Sequence, residues 1–157
     1  MTSSTDFEPP TFADIEDAAR RLDGVAVRTP LLESPLLNER IGGRLLIKAE
    51  PLQRTGSFKF RGAYNRISRL DAGELAGGVV AFSSGNHAQG VAAAAHAMGT
   101  PAAIVMPEDA PAIKLDNTRA WGAEVVLYDR YREERDVAAR NLAEQRGATL
   151  EIGRAHV

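Results

Sequence analysis

From Arg44 onward, strand-length apolar runs alternate with helical spacings over short loops, and this alternation constrains the fold more than any other feature. Arg44–Ala49 reads as a strand, and a helix is expected from about Lys59 to Leu70. Next come a strand at Gly78–Phe82 and a helix rich in small residues at about Asn86–Met98. The strand Ala102–Met106, a helix at about Ala112–Trp121 and the strand Glu124–Tyr128 follow. A charged helix at about Arg132–Arg146 leads into a last strand at Ala148–Glu151. Such a pattern predicts an α/β fold with a parallel sheet. Right-handed crossovers then place helices on both faces, in three layers. Upstream, Phe12, Ile15, Ala18, Ala19 and Leu22 have helical spacing, with Thr11 and Asp14 placed to cap the helix. Thr29-Pro30 stops regular structure, and Leu31-Leu32 begins an extended segment. Met1–Pro10 is polar, acidic and Pro-containing, and is expected to be a loose tail rather than a secretory signal.

The chain has 157 residues, a length that suits one ordinary domain. A formal net charge of −2 provides no footprint for nucleic acid or an anionic membrane surface. No apolar run approaches the roughly 18 residues of a membrane span, so a cytoplasmic location is expected. With no cysteine, disulfides, thiolate metal sites and thiol nucleophiles are excluded. His87 and His96 do not have the i, i+4 spacing of a helical zinc site, and with His156 they form no ligand set, so no metal is expected.

Two segments carry possible chemistry. In Thr55-Gly56-Ser57-Phe58-Lys59-Phe60-Arg61-Gly62-Ala63, a lysine stands at a loop-to-helix junction beside Phe58. An amine must lose its proton to attack a carbonyl, and burial or the positive end of a helix favours that loss. Lysines are mostly exposed, so a plain turn lysine accounts for the same residues. In Ser83-Ser84-Gly85-Asn86-His87-Ala88-Gln89-Gly90, a strand feeds a small polar loop that opens a helix. Backbone N–H groups there suit a carboxylate or phosphate. Capping by Ser84 or Asn86 alone explains the pattern equally well. His87 reads as a structural hydrogen-bonding residue rather than a base. The run Val91–Ala97 reads as close packing, and Arg130–Arg135 as a solvated helix face.

Taken together, the two segments resemble the fold-type-II pyridoxal 5'-phosphate (PLP) enzymes, whose fold is like that of the tryptophan synthase β subunit. Within that family they are similar to threonine/serine dehydratases (ammonia-lyases) and serine racemases. Arg28-Thr-Pro-Leu-Leu, Lys48-Ala-Glu, Ile104-Val-Met-Pro and Trp121-Gly-Ala-Glu-Val extend the likeness over about residues 12–150. Phe60 stands where synthases of this fold carry aspartate, which favours dehydratases and racemases. Ser84 stands where many dehydratases have alanine and racemases use serine as a second base, so racemisation stays open.

The resemblance implies that Lys59 binds the cofactor aldehyde as a Schiff base, with Phe58 against the pyridine ring and Asn86 on the ring hydroxyl. Backbone amides of Ser83, Ser84, Gly85, Asn86 and His87 would receive the substrate carboxylate. Lys59, once freed, would remove the α-proton as general base, and loss of the β-hydroxyl would end in a 2-oxo acid and ammonia. It further implies an amino-acid substrate and a homo-oligomeric parent. Family members are much longer, and their glycine-rich phosphate loop lies in a second half that has no counterpart here; Gly73–Gly78 is too broken to replace it. Residues 1–50 are therefore expected to be a strip of a large cofactor domain, and 51–151 a small α/β domain. The last residues, Glu151-Ile-Gly-Arg-Ala-His-Val, do not resemble the family. One set of codons for them contains a sequencing-adapter sequence, so 152–157 is expected to be adapter read-through. The 157-residue chain alone is expected to be inactive. The competing functions are an amino-acid racemase and a non-catalytic anion-binding α/β domain. The latter has no use for an imine-forming lysine.

Overall fold

The computed structural model describes residues 9–151; residues 1–8 of the expected tail Met1–Pro10 and the expected read-through segment 152–157 lie outside the described residues. Helix α1 spans Phe12–Leu22. The Thr11 hydroxyl accepts from the Asp14 backbone N–H while Asp14 accepts from the Thr11 N–H at 2.8 Å, a reciprocal cap. Strand β1 (Leu31–Glu33), helix α2 (Pro35–Ile41) and strand β2 (Leu46–Lys48) follow. β1 and β2 pair antiparallel, Leu31 opposite Lys48, as a two-stranded sheet of their own. The expected strand Arg44–Ala49 is thus present in part but does not open the parallel alternation. Its apolar side chains and those of β1 remain in water, Leu31 at 57% and Ile47 at 48% exposure.

The alternation proper begins with α3 (Lys59–Ile67) and the short α4 (Ala72–Gly77). It continues through β3 (Val79–Phe82), α5 (Asn86–Met98), β4 (Ala102–Pro107), α6 (Ala112–Ala120), β5 (Glu124–Tyr128), α7 (Arg135–Arg146) and β6 (Thr149–Glu151). The four strands form one parallel sheet in the order β5-β4-β3-β6. Successive side chains on a strand point to opposite faces. Val79, Ala81, Ile104 and Met106 accordingly share a core with Phe60, Ala63 and Ile67 of α3 and with the alanines of α5. Val80, Ala103 and Val105 pack with Ala139 and Ala143 of α7 on the other side. The three expected layers are present, with a parallel sheet flanked by helices.

The strand order fixes where a ligand can sit. From β3 the chain moves through β4 to β5 in one direction, then returns past β3 to place β6 on its far side. The direction of winding therefore reverses at β3. In open parallel sheets the crevice beyond the C-terminal ends of the strands at such a reversal is the usual binding place. The segment leaving the C-terminal end of β3 is Ser83–Gly85.

Candidate active site

Lys59 is the first residue of α3, and its Nζ lies 4.9 Å from the centre of the Phe58 ring. Phe58 is itself 59% exposed, so it shields one side of this amine only. The loop before it is held firmly. Gln53, 4% exposed, accepts from the Val27 N–H and donates to the Val27 carbonyl, both at 2.9 Å. Arg61, two residues after Lys59, donates through Nε and a terminal nitrogen to the two Glu50 oxygens at 2.9 and 2.8 Å. Glu50 also accepts from the Thr29 hydroxyl at 2.6 Å. The Arg61 guanidinium is the main reason the Glu50 carboxyl falls to about 2.

The second motif forms the N-terminal end of α5. Its N-cap is Gly85, with no side-chain cap bond. Neither Ser84 nor Asn86 performs the simple capping that was the alternative reading. Instead the Ser83 hydroxyl oxygen accepts from the Gly85 N–H at 3.2 Å, while Ser84 and Asn86 stay exposed. The first N–H groups of α5 have no intrahelical acceptor and point out of its positive end. His87 is mostly buried and hydrogen-bonds the Glu151 backbone. Burial first, then the charge of Lys59, hold its imidazole below the usual pKa, which fits a neutral structural role.

A glycine brings the two motifs together. A methyl group at Gly90 would lie 2.9 Å from the Lys59 carbonyl carbon and 3.1 Å from its Cβ, closer than van der Waals contact allows. The second turn of α5 thus presses directly on the residue carrying the amine. Sequence reasoning marks Gly90 only as the end of a motif. It missed two other contributions. Lys114 of α6 donates to the Asn86 side-chain oxygen at 2.9 Å. Arg130 and Arg135, exposed as expected of a solvated face, also line a cavity of about 230 Å³ with Ser83, Ser84, Pro107 and Tyr128. The Arg135 guanidinium carbon sits 5.5 Å over the Phe82 ring, and Arg130 pairs with Asp109 at 2.6 Å. Helix α7 starts at Arg135 rather than Arg132, which leaves Arg130 in the loop that reaches back to β4.

Among the described residues, five buried side-chain polar atoms lack a hydrogen-bond partner, and four belong to the two motifs: Thr55 Oγ1, Ser57 Oγ, His87 Nε2 and Gln89 Nε2. Buried polar groups are ordinarily satisfied, so unspent donors and acceptors in the two segments that carry Lys59 and open α5 fit a polar guest. The donor set suits a pyridoxal ring and a carboxylate. No described cluster of His, Cys, Asp or Glu would hold a metal, and no described helix is long and apolar enough to cross a membrane.

Residues 22–151 match the family of pyridoxal-phosphate-dependent enzymes. The chain belongs to that family. It is 56% identical over 140 residues to an L-threo-3-hydroxyaspartate ammonia-lyase of Pseudomonas sp, a match covering 89% of this chain and 44% of the relative. It is 50% identical over 140 residues to an L-threonine ammonia-lyase of Thermotoga maritima, covering 89% of this chain and 35% of the relative. The fold matches the crystal structure of serine racemase from Dictyostelium discoideum with a TM-score of 0.85 and 40% identity, over 91% of this chain and 47% of that one. The chain thus spans less than half the length of the relatives it matches. As a member of this family it depends on PLP, and its relatives are ammonia-lyases and racemases.

Proposed function

We propose that the full-length protein is an ammonia-lyase that removes the elements of water from a 3-hydroxy-L-amino acid and yields a 2-oxo acid and ammonia. The observation that carries this is the contact of Lys59 with Gly90, which sets an amine beside the anion-receiving end of α5. In this reading Lys59 Nζ would hold the cofactor aldehyde and, once free, would take the substrate α-proton. Phe58 would lie along the ring face, and Asn86 would donate to the ring hydroxyl. The amides of Ser83–His87 receive the substrate carboxylate. The cofactor, when bound, serves as the sink for the electron pair left at the α-carbon. Expulsion of the 3-hydroxyl gives an enamine that tautomerises and hydrolyses. Residues 1–50 and 51–151 are assigned to different domains, a division supported by the separate β1–β2 sheet with its exposed leucines.

Threonine or serine was the substrate expected from the sequence. The cavity with Arg130 and Arg135 favours a second reading within the class, a substrate with a carboxylate on its side chain such as L-threo-3-hydroxyaspartate. Among the described residues Arg135 makes no ion pair, so its charge is free for such a group. The test is release of 2-oxo acid and ammonia by the full-length holoenzyme from 3-hydroxyaspartate, threonine and serine. Oxaloacetate release with the highest kcat/KM is expected. Arg135→Met should lower that value by roughly 30–100-fold, the loss of one charge-assisted bond, with serine changed only a few-fold. Equal losses on all three substrates would refute the dicarboxylate reading. A D-amino acid or a β-substituted amino acid as the product would refute the lyase reading. Ser84, exposed on the loop, is the residue on which the racemase alternative rests.

A further inference from the structure

Lys114 has no part in the reaction outlined above, yet its amine is bonded to a residue that does. Nζ donates to Asn86 Oδ1 at 2.9 Å, across 28 residues of sequence. An ammonium has only hydrogens to offer, so the Asn86 atom facing it must be the oxygen. The carboxamide NH₂ is thereby turned to the opposite side. Without that cation either orientation of the amide would be available. Lys114 is itself anchored. Its backbone N–H donates to Pro111 O at 2.8 Å, and its carbonyl accepts from the hydroxyl of Thr118 at 2.8 Å, a side chain with no solvent exposure. Helix α6 therefore offers the amine from a fixed base.

The placement runs against helix stability. Asn86 is the first residue of α5, and a cation beside a helix N-terminus opposes the helix dipole. What it does favour is negative charge arriving at that same end. We propose that Lys114 is a positioning residue. It locks the Asn86 carboxamide with its N–H facing the cofactor ring oxygen, and it adds its own charge to the field holding that oxygen ionised. The proposal rests on the assignment of Asn86 to the ring hydroxyl made above.

The test uses the full-length holoenzyme and reads cofactor binding rather than turnover. Lys114→Met is expected to weaken PLP binding about tenfold, the size of one hydrogen bond to a charged group. It should also move the pH transition of the bound cofactor's visible absorption band upward, because removing a positive charge favours the protonated form. Lys114→Arg, which also donates, should restore most of both. In an Asn86→Ala background the further loss on Lys114→Met should shrink to within about twofold. If Lys114→Met leaves affinity and band pH unchanged while Asn86→Ala lowers affinity, the Lys114 proposal fails and the Asn86 assignment stands. The same holds if the Lys114→Met loss persists undiminished without Asn86. If Asn86→Ala itself behaves as wild type, the underlying assignment fails and the proposal with it.

Discussion

Replacing Gly90 by alanine exchanges a hydrogen for a methyl group at the tightest point between the two motifs. The new Cβ would lie 2.9 Å from the Lys59 carbonyl carbon and 3.1 Å from both its oxygen and its Cβ. Ordinary carbon contacts begin near about 3.5 Å, so α3 and α5 must part by roughly half an ångström. The neighbours are mostly backbone and cannot swing aside. Overpacking of this kind costs about 1–3 kcal/mol, while the gain in helix propensity returns about 1 kcal/mol. Gly62 supplies the matched control. It lies in α3, its backbone is not left-handed, and a methyl group there would meet nothing within 4 Å. Gly62→Ala should therefore stabilise by up to about 1 kcal/mol. The two variants should differ by about 1–3 kcal/mol in urea unfolding of this chain, with Gly90→Ala the weaker. In the full-length holoenzyme Gly90→Ala should also lower kcat roughly tenfold, because about 1 Å of misplacement costs up to about 10²-fold. Equal stabilities of the two variants, together with unchanged turnover in Gly90→Ala, would show that the close approach does not set the position of Lys59.

Borohydride reduction of the full-length holoenzyme should fix the cofactor on the peptide containing Lys59; label on Lys48 or Lys114 would overturn that assignment. Glu50, at about 2 rather than its usual 4.5, favours the folded state fully above pH 4.5 and loses that contribution as pH falls through about 2. Glu50→Gln should remove on the order of 2–3 kcal/mol at neutral pH. Its deficit relative to wild type, followed by urea unfolding, should shrink toward pH 2; a constant deficit would contradict the ion pair. The 157-residue chain in saturating PLP should release no more 2-oxo acid than its Lys59→Ala variant, because positioning is worth roughly 7–11 kcal/mol of barrier. Turnover near about 1 s⁻¹ would show the chain to be sufficient by itself.

The bounds of β3, α5 and β5 were legible because period and punctuation agree there. Val79–Phe82 is a continuous apolar run, and Gly99 closes α5 with a left-handed φ of 67°. The Thr11–Asp14 cap was legible for the same local reason. The short helices were not. Helix α2 has only seven residues, beginning at Pro35, and in α4 two glycines dilute the helical signal, although Asp71 and Glu74 form the same kind of reciprocal cap. Of the site, the amine and the anion loop could be read because their chemistry lies in contiguous residues. Gly90 against Lys59, Lys114 on Asn86 and Arg135 over Phe82 could not, since each pairing is created by helices packing across the sheet.

The winding reversal at β3 also sets a timetable. Val79 meets Ala102 of β4 after 23 residues of chain but meets Thr149 of β6 only after 70. Closing the longer loop costs about 1 kcal/mol more entropy than closing the shorter one. Contacts of greater sequence separation are also slower to form. The β3–β4–β5 ladder can therefore assemble while β6 is still unplaced. The wall of the crevice that β6 provides, including the backbone that His87 bonds, then arrives after the other three strands have paired. During synthesis the anion loop would be exposed on one side until residue 151 has been made, and that side would close with the docking of β6 rather than with the formation of the motifs themselves.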